Sequence, residues 1–319
     1  MNIIETHALS RVYGKRRAVD SLDMCVAAGE IYGFVGKNGA GKSTAMKMIA
    51  GLVRPTSGSV ELFGAQRRAR EGFSRVGALI EDPGILPTFS ALENLMCKAL
   101  ALGVVRPNAH CRELLELVGL ADTGSLRVKK FSLGMKQRLG LALALVGGPD
   151  LLLLDEPFNG LDPESTRAMR GALVRLNRER GVTMVISSHV LDQLDRMATS
   201  FGVIRAGRMV RELSMDDLHR ECGSSIRVRT NDPARALAIL EEALPGAVLR
   251  AEPDGSILAS APARNAATSF GGAAADPMAP SAEDVARPLT DHGQLILELS
   301  HLERDIEEYF VELMGGADA

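Results

Sequence analysis

Gly36-Lys37-Asn38-Gly39-Ala40-Gly41-Lys42-Ser43 fits the pattern G-x-x-x-x-G-K-[ST], and the residue types explain the pattern. Glycines let the backbone curl so that several N–H groups converge on one anion. A helix beginning near Lys42 adds the positive end of its dipole. The Lys42 ammonium is placed for the β- and γ-phosphates of a nucleotide and the Ser43 hydroxyl for Mg2+. Thr44 completes the expected nucleotide-contacting set. The chemistry expected is binding and hydrolysis of Mg·ATP. A chance glycine-rich turn is the competing reading; it leaves the Lys, the Ser and the flanking elements without explanation.

A second constellation is Leu151-Leu152-Leu153-Leu154-Asp155-Glu156, four apolar residues that end in two acids. Carboxylates at the end of a buried strand are costly unless a cation or a reaction uses them. Asp155 is expected to hold Mg2+, directly or through water, and Glu156 to orient or deprotonate an attacking water. A strand that simply ends at a polar edge is the alternative, and the phosphate loop upstream weighs against it.

These groups need rigid elements. Ile31–Val35, Val76–Ile80, Leu151–Leu154 and Met184–Ile186 are continuous apolar runs, as expected of strands buried on both faces of a mainly parallel sheet flanked by helices. Ser90-Ala91-Leu92-Glu93 is a capping box. Asp162-Pro163 opens a helix expected to run to about Arg180, with Gly181 as its C-terminal cap. Composition changes after Cys222, which divides the chain into a domain at 1–222 and an accessory α+β domain at 223–319. The second domain is expected to hold a strand at Ile226–Arg229, a helix from Asp232-Pro233 to about Ala243, and two strands around Pro253-Asp254-Gly255. Residues 260–282 are rich in Ala, Gly, Pro and Ser and read as a flexible loop, with order returning at Leu295–Leu299. Ser300-His301-Leu302-Glu303 reads as a capping box for a helix with Leu302, Ile306, Tyr309, Phe310 and Leu313 on one face.

Composition excludes several classes. Lys plus Arg number 37 against 40 Asp plus Glu, a net charge of -3, so no basic excess is available to hold a nucleic acid. The cluster Arg67-Arg68-Ala69-Arg70 is short and reads as a solvated helix face. The four cysteines, Cys25, Cys97, Cys111 and Cys222, form no Cys-x-x-Cys pair and suit a reducing compartment. The N-terminus has neither a basic start nor an apolar signal core, and the apolar stretch Leu139–Leu154 is cut by Gly147-Gly148-Pro149-Asp150. A membrane role is therefore expected to come through a partner.

Further residues match a family. Phe131-Ser132-Leu133-Gly134-Met135-Lys136-Gln137-Arg138 resembles the signature motif of ATP-binding-cassette (ABC) subunits, usually Leu-Ser-Gly-Gly-Gln. Asn159-Gly160-Leu161-Asp162 resembles the family's D-loop, His189 its switch histidine, and Tyr13 the aromatic that stacks on adenine. Bland readings stand beside each: Tyr13 as an exposed aromatic, His189 as a satisfied strand-end histidine, Asp162 and Ser132 as helix caps. The resemblance covers about residues 3–222. It implies the P-loop NTPase cassette fold, an α/β core with parallel sheet, antiparallel β part and helical subdomain. It also implies that Ser132 and Gly134 serve the γ-phosphate of an opposing subunit, in a homodimer with two competent sites.

Two departures narrow the resemblance. Leu133 and Met135 stand where Gly and Gln are usual. Glu81, in Ile80-Glu81-Asp82-Pro83, stands where the family has a Gln that touches Mg2+ and faces the membrane subunit; Asp82 can share that place. Together with the C-terminal Leu302-Glu303 to Phe310, these features are similar to bacitracin-resistance and lantibiotic-immunity exporters. The resemblance implies a cytoplasmic ATPase subunit, peripheral on the inner face of the membrane, that docks a separately encoded permease through Glu81–Phe89 and the helix from Ser90. A soluble ABC ATPase of translation or chromosome maintenance is the rival reading; such proteins carry two cassettes or a long coiled coil. A P-loop kinase or GTPase would leave the signature segment unexplained, and no Asn-Lys-x-Asp motif is present at a suitable strand end.

Overall fold

The computed structural model of the chain describes residues 1–66, 75–222, 225–260, 280–302 and 306–315. It divides into two compact units, Met1–Ser214 with Leu313–Ala319, and Met215–Glu312. The cluster at Arg67–Arg70 and most of the loop expected at 260–282 lie outside the described residues.

In chain order the first unit contains β1 (Asn2–Tyr13), β2 (Arg16–Ala27), β3 (Ile31–Val35), α1 (Lys42–Ile49), β4 (Ser57–Leu62), β5 (Ala65–Gln66) and β6 (Val76–Leu79). It continues with α2 (Ala91–Ala101), α3 (Pro107–Leu117), α4 (Leu133–Leu145), β7 (Leu151–Asp155), α5 (Pro163–Arg180), β8 (Thr183–Ser188), β9 (Ser200–Arg205) and β10 (Arg208–Ser214). One sheet has the order β10-β9-β3-β8-β7-β6. Its neighbours are parallel except for the edge pair β9–β10. Every residue of β3 and β8 is buried, as is Leu151–Leu154 of β7, which is why these strands read as unbroken apolar runs. A smaller sheet, β2-β1-β4-β5, is antiparallel throughout.

Helix α1 is wedged between the two sheets. Its Ala45, Met46, Met48 and Ile49 share one buried cluster with Ile4, Leu9 and Leu22 of the antiparallel sheet and with Phe34, Leu153 and Val185 of the parallel one. Each such large side chain contributes up to about 1.5–3 kcal/mol by leaving water. The helix ends are locally encoded. Ser90 and Glu93 form the expected capping box, Asp162 accepts from Ser165 N–H, and Gly181 closes α5 in a left-handed conformation at φ 64°. All four cysteines are free, with Cys111 and Cys222 buried. Among the described residues, no helix is long and apolar enough to cross a membrane.

The second unit begins with α6 (Met215–Glu221) and contains β11 (Ser225–Thr230), α7 (Pro233–Ala243), β12 (Val248–Ala251), β13 (Ser256–Ser260), α8 (Ala282–Asp291), β14 (Ile296–Leu302) and α9 (Ile306–Leu313). An antiparallel sheet, β12-β13-β11-β14, packs Ile226, Val228, Ile257 and Ala259 against Ala236 and Leu240 of α7 and Val285 and Leu289 of α8. Two sequence expectations are corrected here. Order returns before Leu295, because Ser281 and Asp284 form a capping box that starts α8; the interior Pro288 hides that helix from a sequence reading. Ser300 lies inside β14, paired with Arg227, and the strand runs on to Leu302; Glu303, the other half of the expected capping box, lies outside the described residues. The cross-strand partner overrides the local capping pattern.

One close contact ties β3, across β9, to the edge strand β10. The buried Tyr32 hydroxyl donates to Glu212 Oε1 at 2.5 Å, and burial raises both groups above their ordinary pKa values. A Cβ on Gly202 would lie 1.9 Å from that hydroxyl oxygen. Gly202→Ala is therefore expected to destabilise the chain by about 2 kcal/mol, typical of core overpacking. Adding Tyr32→Phe should recover part of that loss. Strictly additive effects in urea unfolding would disprove the contact as the cause.

Candidate functional site

Strands β3, β7 and β8 are adjacent and parallel, so their C-terminal ends open onto one place. Ligand sites of open parallel sheets form there, beyond the carboxyl ends of the strands. From β3 the chain passes into the loop Gly36–Ser43 and then into α1. Two glycines are required by geometry. A Cβ on Gly36 would lie 2.5 Å from the Ile204 carbonyl oxygen, and Gly41 has φ 114° with the Ala18 carbonyl oxygen 2.5 Å from a Cβ position. The Gly207 N–H also donates to Ala40 O at 2.8 Å. The loop is thus held from the side by β2 and by the β9–β10 turn.

The α1 N-terminus has no side-chain cap and no acidic residue in its first turn. Its N–H groups are open to an anion. They face a cavity of about 440 Å3 lined by Tyr13, Arg16, Ala18, Asn38, Gly39, Ala40, Gly41, Lys42, Ser43, Thr44 and Glu156. The expected nucleotide-contacting residues from Asn38 to Thr44 and Tyr13 therefore meet in one place. Tyr13 is exposed, with the Arg11 guanidinium 4.6 Å from its ring centroid.

Lys42 is buried, and its Nζ donates to Gly36 O at 2.6 Å and approaches Glu156 Oε1 at 3.1 Å. The second contact is an ion pair not aligned as a hydrogen bond, because Glu156 Oε1 is buried with no hydrogen-bond partner. The other carboxylate oxygen, Oε2, lies 2.7 Å from His189 Nδ1. A carboxylate only accepts, so Nδ1 carries the hydrogen. Glu156 holds a left-handed φ of 49°, which costs a non-glycine residue about 1 kcal/mol or more. That turn lifts its side chain off the end of β7 and between Lys42 and His189.

Ser187, buried in β8, ties the two acids together. Its hydroxyl donates to Asp155 Oδ1 at 2.6 Å and accepts from Glu156 N–H at 2.9 Å. Sequence reasoning missed this residue; the signal was a Ser-Ser pair ending the apolar strand after Ile186. Arg16 and Ala18, also in the cavity wall, had no signal beyond their distance from Tyr13.

Other expected residues lie elsewhere. Glu81 is not among the residues lining the cavity. It sits at φ 63°, with Lys47 Nζ of the last turn of α1 2.5 Å from its carboxylate. Asp82 accepts from Gly84 N–H. Ser132 caps α4 by accepting from Met135 N–H, and neither it nor Gly134 enters the cavity wall. A Cβ on Gly134 would lie 2.5 Å from Ser165 Oγ, and one on Gly160 would lie 2.9 Å from Leu133. The start of α4 is thus packed on Asn159–Asp162 and the first turn of α5. Asp162 accepts from Ser165 N–H and Oγ–H, which holds its carboxyl below the usual carboxylate range.

The donor set suits Mg2+ and a triphosphate: an uncapped helix N-terminus, a Lys, the Ser43 hydroxyl, two carboxylates and an orphaned buried oxygen on one of them. Comparison with known proteins agrees with this reading. Residues 19–159 match the ABC transporter domain family. The chain is 36% identical over 316 residues to the bacitracin transport ATP-binding protein BcrA of Bacillus licheniformis, covering 98% of each chain. It is 38% identical to the lantibiotic transport ATP-binding protein SrtF of Streptococcus pyogenes, covering 67% of this chain and 92% of that one. A dimeric, post-hydrolysis ATP-binding cassette bound to ADP and Pi has a similar fold, with TM-score 0.61 at 22% identity over 66% of this chain and 98% of the other.

Ser187→Ala removes a donor from Asp155 and an acceptor from the Glu156 N–H inside the sheet. Stability is expected to fall by about 2 kcal/mol, the usual cost of stranding buried polar groups. Wild-type thermal unfolding of Ser187→Ala would show that the hydroxyl does not tie the two acids.

Proposed function

The chain belongs to the ABC transporter family as an ATP-binding, ATP-hydrolysing subunit, and on that premise we propose that it drives export of a peptide antibiotic or similar amphiphile through a separately encoded permease. The unit Met1–Ser214 acts as the ATP-binding domain and the unit Met215–Glu312 as an accessory domain, a division eight residues before the change of composition at Cys222. The names of the full-length and near-full-length relatives support transport over a role in translation or chromosome maintenance. The subunit works on the inner face of the membrane, held there by its permease.

One observation carries the mechanism: Glu156 stands between Lys42 and His189 at the wall of the cavity, with one carboxylate oxygen unbonded. The triphosphate lies along the loop N–H groups and the α1 N-terminus, and Tyr13 stacks on the adenine. Lys42 turns its ammonium from Glu156 to the β- and γ-phosphate oxygens, which frees Glu156 Oε1 for a water. Ser43 and Asp155 would hold Mg2+, which would supply positive charge to offset that of the phosphates. Glu156, oriented by His189 Nδ1–H, accepts the water proton as the water oxygen bonds to the γ-phosphorus. The bond from that phosphorus to the β–γ bridging oxygen breaks, leaving ADP and inorganic phosphate. Ser132 and Gly134 of a second copy face the γ-phosphate, and Asp162 lies on the same surface. ATP therefore joins two chains, and hydrolysis releases them by removing contacts made only in the closed pair. Glu81, the first residue of the segment that docks the permease, links that segment to α1 through Lys47.

Glu156→Gln is expected to keep ATP binding, abolish turnover and trap a dimer detectable by size-exclusion chromatography with ATP. Unimpaired hydrolysis would end the assignment. His189→Ala should lower kcat by about 10–100-fold with little change in ATP affinity, the size of effect of losing a positioning hydrogen bond. Glu81→Gln is expected to change transport per ATP hydrolysed, measured in vesicles with the permease, more than it changes ATP affinity; an unaltered ratio would remove Glu81 from coupling.

A further inference from the structure

The antiparallel sheet carries a feature that ATP hydrolysis does not use. Glu5 on β1 stands directly opposite Glu61 on β4, and His7 opposite Ser59. Glu5 and His7 are two residues apart, so they share the solvent face of β1, while Ile4, Thr6, Val60 and Leu62 are buried on the other. His7 Nε2 lies 4.0 Å from Glu5 Oε2 and 3.7 Å from Glu61 Oε1. One ligand atom from each of the three residues lies within 4.8 Å of the others.

Two like charges opposite each other across strands destabilise a sheet. Among the described residues, neither Glu5 nor Glu61 is paired with a Lys or Arg. A third acid on this sheet, Asp23, accepts from Ala8 N–H at 2.7 Å and so is committed to the backbone. Asn2 Nδ2 donates to Glu5 Oε1 at 3.0 Å, which leaves Oε2 as the oxygen turned to His7. The face thus holds three converging donors, whose carboxylates pair with no Lys or Arg among the described residues, on a ladder anchored by the core beneath it.

We propose that Glu5, His7 and Glu61 bind a divalent transition-metal ion of the zinc type. One imidazole nitrogen and two carboxylate oxygens suit Zn2+, Ni2+ or Co2+, whereas Mg2+ and Ca2+ favour all-oxygen shells. Bonds of about 2.0–2.2 Å in a tetrahedral arrangement place ligand atoms about 3.4 Å apart, so closure draws the two carboxylates in by about half an ångström toward His7 and by up to about 1.4 Å toward each other, within reach of exposed glutamate rotamers. The fourth position is left to water. The ion clips β1 to β4 and removes the repulsion between the two glutamates. The site is separate from the phosphate loop and does not depend on the nucleotide chemistry.

The test uses the full-length chain without a histidine tag, stripped with EDTA and kept free of nucleotide and Mg2+. Titration calorimetry with ZnCl2 is expected to show one saturable ion per chain, with affinity falling about tenfold or more in His7→Ala, since a direct ligand is lost. Absorbance with CoCl2 should show ligand-field bands without a thiolate charge-transfer band, which matters because Cys25 lies opposite Glu5 on β2. Glu61→Gln gives a readout that a purely structural role would not: its unfolding temperature should exceed wild type without metal and fall below it with Zn2+. No saturable binding, unchanged affinity in His7→Ala, a dominant thiolate band, or the same sign of the Glu61→Gln effect in both conditions would each overturn the site.

Discussion

Lys42 and Glu156 lie 3.1 Å apart at the end of a buried sheet, and neither charge tolerates that position alone. Much of the first unit can be derived from that constraint. Strands β3, β7 and β8 must run parallel and side by side for the lysine loop and the acid to meet. Glu156 must take a left-handed turn, and Ser187 must hold its N–H while bonding Asp155. His189 occupies the second carboxylate oxygen, which leaves the first poised toward the lysine. In the proposed mechanism the pair acts as a spring held by mutual need: a bound phosphate chain takes over the lysine and releases the acid for chemistry.

Rigidity at the loop comes from α1 lying between two sheets. A helix exposed on one side would need strong intrinsic propensity; this one is fixed by core on both sides, so its uncapped start costs little. Its far end carries Lys47, which meets Glu81. The helix therefore spans from the phosphate loop to the segment proposed to meet the permease, and a displacement at one end is transmitted along a single rigid element.

The elements nearest the chemistry were legible because their physics is local. Strands buried on both faces have unbroken apolar sequences, and Ser90, Ser132 and Asp162 state their helix starts by residue type. The phosphate loop was legible because its glycines answer to backbone crowding at Gly36 and Gly41. What escaped was relational. Ser187 is an ordinary serine until β7 lies beside β8. Glu81 is an acid following a strand until Lys47 is seen against it. Ser300 satisfies a capping pattern that pairing with Arg227 overrides, and Pro288 hides a helix that Val285 and Leu289 hold by burial. Local chemistry is written in the chain; partner choice emerges with the fold.

The packing of Gly134 against Ser165 also bears on how this segment can vary over time. A side chain at 134 would push apart the starts of α4 and α5, whereas Leu133 is more than half exposed and only one edge of its side chain meets Gly160. The two departures from the usual Leu-Ser-Gly-Gly-Gln, at Leu133 and Met135, flank the crowded position and spare it. The width of the gap between two helices thus sets the residue at 134 to glycine, while position 133 has room for a large side chain.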